Sequence, residues 1–162
     1  MALRCRIDGS IWRGAIRLIA TPCWFAVGYH SHGRRVVRID PGTNKVVDSI
    51  DLEHFMPCGF IVADRSTVWS AGATCTAAVA RIDPRTRKVT AQLAEPHAVG
   101  MALAFGSLWV AVFESGDVDR IDTRTGQVVA RLHVGGRPVR LSAGFGSVWV
   151  NDDEGRVLRI RP

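Results

Sequence analysis

The stretch Gly144-Phe145-Gly146-Ser147-Val148-Trp149-Val150 decides the fold because it is not unique in the chain. It stands forty residues earlier as Ala104-Phe105-Gly106-Ser107-Leu108-Trp109-Val110, again as Asp64 to Ser70 around Trp69, and in degraded form around Trp24. The four tryptophans of these copies, Trp24, Trp69, Trp109 and Trp149, are 45, 40 and 40 residues apart. A second marker keeps the same beat, with Arg38-Ile39-Asp40, Arg81-Ile82-Asp83, Arg120-Ile121-Asp122 and Arg159-Ile160 separated by 43, 39 and 39 residues. Self-similarity at this period marks a repeat architecture whose units bury their faces against one another.

One unit contains four short apolar runs, clearest at Gln127 to Leu132, Val139 to Ala143, Ser147 to Asn151 and Arg156 to Ile160. Between them lie Val134-Gly135-Gly136-Arg137-Pro138, Phe145-Gly146 and Asp152-Asp153-Glu154-Gly155, all of turn composition. Strands of five or six residues with a turn about every ten predict antiparallel all-β structure. The run Val148-Trp149-Val150 is apolar on both faces, as a sheet packed on both sides requires. Four strands in about 40 residues is the repeat of a β-propeller blade. The fold class is therefore all-β, a propeller of four four-stranded units.

The repeated aspartates have a local explanation. In Asp40-Pro41-Gly42-Thr43, Asp83-Pro84-Arg85-Thr86 and Asp122-Thr123-Arg124-Thr125-Gly126 the carboxylate opens a β-turn and can accept backbone N–H groups two residues on. A catalytic constellation would need asymmetry, and these aspartates recur in unit after unit.

The pattern Val-x-Arg-Ile-Asp-Pro-x-Thr, then Val-Val-Ala-x-Leu, then Gly-x-Pro, then Gly-Ser-Val-Trp-Val resembles the YVTN-type bacterial propeller repeats, which are close to the units of the streptogramin (virginiamycin B) lyase family. The likeness is strong from Val36 onward and weaker before it. It implies a propeller fold shared by binding modules, sensor domains and a few enzymes.

The chain of 162 residues divides into units 13–51, 58–94, 98–133 and 138–161, as one domain. Laid without a gap against Gly126 to Trp149, the N-terminus puts Leu3-Arg4-Cys5-Arg6-Ile7 opposite Val128-Val129-Ala130-Arg131-Leu132. Residues 1–8 are thus a candidate closing strand, Leu3 to Ile7 beside Val157 to Ile160, hiding two unpaired strand edges. An open arc, or two copies completing one ring as a homodimer, are the other arrangements; relatives of this repeat type have six or seven units, so the chain can be partial.

The formal charge is +6, carried almost wholly by arginine, since Lys45 and Lys88 are the only lysines. The arginines are scattered, with no clustered stripe of the kind a nucleic-acid surface uses, so no nucleic-acid partner is expected. Cys5, Cys23, Cys58 and Cys75 have no metal-site spacing and differ in position within the unit, which reads first as small buried hydrophobes and leaves a disulfide open. The apolar stretch Ala15 to Ala26 is interrupted by Arg17 and followed by no cleavage site. Neither a signal peptide nor a membrane anchor is expected, which leaves the chain cytoplasmic as written and extracytoplasmic only with an upstream segment.

Propeller sites lie where loops converge on the central axis. The loops before successive inner strands carry His54, His97 and His133 in turn, with Arg137 and Arg140 following the last. These five are the candidate ligand-binding residues, suited to a small anionic ligand or a protein. In the lyase family such a loop holds the catalytic base as Pro-His-Gly and a divalent cation such as Mg holds the substrate. Here Pro96-His97 matches two letters, Ala98 replaces the glycine, and the aromatic-Thr-Glu that often follows the tryptophan is absent. His97 with Glu95 as its orienting carboxylate is the candidate catalytic pair on that reading. His30 and His32, alternate residues before a turn at Gly33, are candidate metal ligands without a third partner. The sequence leaves two functions open: a non-catalytic binding or interaction module without cofactor, and a metal-assisted carbon–oxygen lyase.

Overall fold

A computed structural model describes residues 23–27, 33–58, 60–73 and 75–162. The candidate closing strand 1–8, Cys5, the first part of unit 13–51, and His30 and His32 lie outside the described residues.

The described residues form fourteen strands in four antiparallel sheets, each a simple meander in chain order. Sheet one is β1 (Cys23–Val27), β2 (Arg35–Asp40) and β3 (Lys45–Asp51). Sheet two is β4 (Ile61–Ala63), β5 (Val68–Ala71), β6 (Val79–Asp83) and β7 (Lys88–Leu93). Sheet three is β8 (Ala98–Ala104), β9 (Ser107–Val112), β10 (Asp117–Asp122) and β11 (Val128–His133), and sheet four is β12 (Pro138–Gly144), β13 (Ser147–Asp152) and β14 (Val157–Ile160). The expected strands of the last unit thus appear within a residue or two of their sequence bounds. The all-β, propeller-like architecture stands.

Successive sheets pack face to face through three apolar clusters. Trp24, Val36, Ile50 and Phe55 meet Val68, Ala80 and Ile82 of sheet two. Trp69 and Val79 meet Met101, Leu108, Val110 and Ile121 of sheet three, and Trp109 and Val118 meet Leu141, Val148 and Val150 of sheet four. Each tryptophan is therefore the knob that one sheet offers the next, and β9 is buried along its whole length because it serves two interfaces. Trp69 and Trp109 are fully buried, whereas Trp149 is only half-buried because no described sheet follows it.

The two sequence markers turn out to be cross-strand partners. Trp69 pairs with Arg81, Trp109 with Arg120 and Trp149 with Arg159, and in each the guanidinium lies over the indole, with the carbon 5.5–5.7 Å from the ring centroid. Arg120 Nε also donates to Ser107 Oγ at 2.9 Å and Arg159 Nε to Ser147 Oγ at 2.7 Å, which accounts for the serine two residues before each of these tryptophans. At the Arg-Ile step the pairing with the outer strand slips by one residue in sheets one, two and three. That bulge turns Val47 and Val129 outward on the outer strands and interrupts an edge that could otherwise template pairing.

The turn aspartates behave as their sequence context predicts. Asp40 Oδ1 accepts N–H from Gly42 and Thr43 at 2.8 and 2.7 Å, Asp83 from Arg85 and Thr86, and Asp122 from Arg124 and Thr125. Each turn then closes on a left-handed residue, Asn44, Arg87 or Gly126. The N–H of Thr43, Arg85 or Thr125, respectively, is the largest influence holding these carboxyls below the usual range.

One expectation fails. Cys58 and Cys75 form a disulfide, and Cys23 is buried and disulfide-bonded as well, so the reading of the cysteines as unpaired hydrophobes is corrected. Their positions within the unit differ because Cys58 sits in the linker entering sheet two and Cys75 in the loop between β5 and β6. Antiparallel pairing brings both to the same end of that sheet.

Candidate ligand face

Antiparallel meanders divide the turns between two ends. The end bearing the sheet-to-sheet linkers also carries the loops between second and third strands, and the two sets are stitched together. His97 O accepts the N–H of Phe113 at 3.1 Å, Gly116 O accepts those of Val134 and Gly135 at 2.9 and 3.1 Å, and Arg137 O accepts that of Asp153 at 3.1 Å. Met56 N donates to Thr76 Oγ1 at 3.0 Å beside the Cys58–Cys75 bond. The histidine-bearing loops are thus held segments over the strands.

Inner strands meet where Gly100 removes a side chain. A Cβ there would lie 2.4 Å from Val139 O, so β8 and β12 approach closely enough that only glycine fits. On the other side of β8, Phe60 N donates to Val99 O at 3.2 Å. Arg140 reaches across this narrow strand to place its guanidinium 5.7 Å from the Phe60 ring centroid. Arg137 lies 5.5 Å over Phe113 and 3.7 Å from Asp153 Oδ2.

The five expected ligand-binding residues fall in different settings. Arg137 and Arg140 are exposed cations seated on phenyl rings. His54 and His97 are exposed, and His97 holds a left-handed conformation with φ of 60°. His133 ends outer strand β11 and its Nδ1 pairs with Asp117 Oδ1 across the sheet at 2.9 Å. No hydrogen bond or ion pair joins any two of the three histidines among the described residues.

Glu95 is turned to other work than orienting His97. It is 95% buried, its carboxyl meets Asp119, itself fully buried, and Arg131 clasps Asp119 with two bonds of 2.8 and 2.6 Å. Burial first, and then the charge of Asp119, push the Glu95 carboxyl up to about 7. The cluster is confined to this junction. Where sheet three has the cross-strand pair Asp119 and Arg131, sheet one has Val37 and Ser49 and sheet two has Ala80 and Gln92. That departure from the repeat was the signal the sequence offered and the reading by motif passed over. Phe60, Phe113 and Gly100 were also missed, and only contact across sheets reveals them. Among the described residues no group of three or more His, Cys, Asp or Glu could hold a metal ion.

No protein-family model and no curated protein matches this sequence. Solved structures do match. BamB from Moraxella catarrhalis aligns with a TM-score of 0.65 at 14% identity over 89% of this chain and 41% of its own. The WD40 β-propeller domain of Doa1 aligns at 0.67 and 13% identity over 94% of this chain and 50% of its own. The computationally designed Ika4 protein aligns at 0.67 and 14% identity over 99% of both chains. The chain thus spans about half or less of the two natural proteins. At these identities the likeness establishes a propeller-like fold and nothing further.

Glu95 sets a pH dependence whose sign follows from linkage. A carboxyl raised in the folded state from 4.5 to about 7 stabilises the fold at low pH, and that contribution disappears as pH rises through this range. Urea denaturation should show stability falling by a few kcal/mol between about pH 4.5 and 7. Glu95→Gln, which keeps a neutral group against Asp119, should flatten that fall; an unchanged profile would remove Glu95 from the account.

Proposed function

We propose that this chain is a non-catalytic β-propeller binding module, and that the linker end around Arg140 and Arg137 takes an anionic group of a small ligand or protein. The observation that supports this most is Arg140. Among the described residues it makes no ion pair, although His133 is matched by Asp117 and Arg137 stands near Asp153. A guanidinium spread on a phenyl ring beside a glycine gap keeps its forked donors available for a carboxylate or phosphate. His54 and His97 border the same end and add imidazole donors. Glu95 is committed to Asp119, so nothing here favours the metal-assisted lyase over binding.

The test uses inorganic phosphate and benzoate as probes, followed by amide and guanidinium chemical shifts. Titration should move Gly100, Arg140 and Phe60, and Arg140→Gln should weaken binding by roughly tenfold, as expected for a lost charged hydrogen bond. Shifts confined to outer strands, or an Arg140→Gln variant that binds like the parent, would overturn the assignment.

The same reading takes the four units as a ring closed by residues 1–8 beside β14, within the chain or from a second copy. Its support is the match of Leu3–Ile7 to β11 and the exposure of Val157 on β14. Deleting residues 1–8 should expose an edge and promote association in sedimentation runs. A deletion variant that stays monomeric and melts with the full chain contradicts closure. The disulfides favour an oxidising compartment over the cytoplasm for the working protein.

A further inference from the structure

The end opposite the linkers has its own unexplained chemistry. The hairpins β8–β9 and β12–β13 turn there through Phe105-Gly106 and Phe145-Gly146, with φ of 53° at both phenylalanines and 70° and 67° at the glycines. Two central residues at positive φ make the tight hairpin turn that Asn-Gly fills with least strain, and an aromatic residue in that conformation is unusual. The ring of Phe145 is not repaid by packing, since it is 95% exposed, and Phe105 is partly covered at 45% exposure. Nothing lies within 4 Å of where a Cβ at Gly106 or Gly146 would stand, so the space beside both glycines is open.

Cations share this end of the strands. The equivalent tip of sheet two presents Arg65, and the turns joining third to outer strands at this end present Arg85 and Arg124, with Arg161 following β14. All four are exposed, and none forms an ion pair with a carboxylate among the described residues. The aspartates at this end, Asp40, Asp64, Asp83 and Asp122, each spend an oxygen on the backbone of their own turns, and Asp83 and Asp122 stay ionised beside Arg85 and Arg124. Carboxylates such as Glu53, Glu114, Asp153 and Glu154 lie at the linker end instead.

We propose that this end docks on an anionic lipid surface, with Phe105 and Phe145 entering the acyl boundary and Arg65, Arg85, Arg124 and Arg161 meeting the lipid phosphates. The exposure of these rings at hairpin tips, nearly complete for Phe145, favours this partner. A protein would have to supply a fitted pocket for each protruding ring, and single-stranded nucleic acid stacks on aromatic faces laid along a groove. A fluid bilayer accepts apolar tips without complementary shape, and anionic headgroups add attraction for each nearby arginine. This inference does not rest on the ligand face at the opposite end.

The experiment is cosedimentation of the full chain with vesicles of phosphatidylcholine alone and of phosphatidylcholine with phosphatidylserine. The chain should pellet with the anionic vesicles, less so as salt is raised, and remain in solution with the neutral ones. Phe105→Asn with Phe145→Asn suits the turn better, so the variant should melt no lower than the parent, yet its vesicle affinity should fall by roughly tenfold or more. Arg140→Gln should leave vesicle binding unchanged. Failure to pellet with anionic vesicles, equal pelleting with neutral ones, indifference to the phenylalanine substitutions, or retention only by a single-stranded oligonucleotide would each overturn the proposal.

Discussion

The stacking of an arginine on the tryptophan opposite it is the contact on which the rest of the structure depends. A tryptophan facing the next sheet supplies a large apolar knob, but its other ring face needs cover that the meander must provide from within. Arg120 provides it for Trp109, held in place by the bond of its Nε to Ser107 Oγ. Three residues from two strands thus form one rigid unit, reproduced as Ser147, Trp149 and Arg159 in sheet four. Sheet one shows what happens when a member is lost. Arg38 stands opposite Trp24, the sequence has Pro22 in place of the serine, and Arg38 Nε is buried without a partner.

The fold was legible because its determinants recur. Strand bounds, turn aspartates and the spacing of tryptophans all follow from local chemistry that four units state in parallel. What could not be read was anything depending on contact between units. The period showed arginine and tryptophan recurring together, but not that an antiparallel register sets them face to face. The Cys58–Cys75 bond joins two positions that differ within the repeat, so no periodic argument could pair them. The candidate site was legible only as a set of loops: His54, His97 and His133 recur before inner strands, yet His133 is drawn to Asp117 at the outer edge. Arg140 owes its setting to Phe60 and Gly100, from two other sheets.

Departures from the repeat are where function and specificity have room. Asp119 and Arg131 replace residues that are not charged in sheets one and two, and with Glu95 they create a junction unlike its neighbours. At one end, Phe105 and Phe145 accept a left-handed turn, Phe145 with almost no packing, and at the other Arg140 spans a glycine gap. The two ends are therefore chemically distinct.

The central claim, that the arginine and the tryptophan act as one structural unit, is tested most directly by a double-mutant cycle on Trp109 and Arg120, read as urea-unfolding free energies of the parent, Trp109→Leu, Arg120→Met and the double variant. The account predicts a coupling of about 1–2 kcal/mol, in the range of a desolvated cation on an indole. Free energies that add to within about 0.5 kcal/mol would mean that the two residues stabilise the sheets independently, and would contradict it.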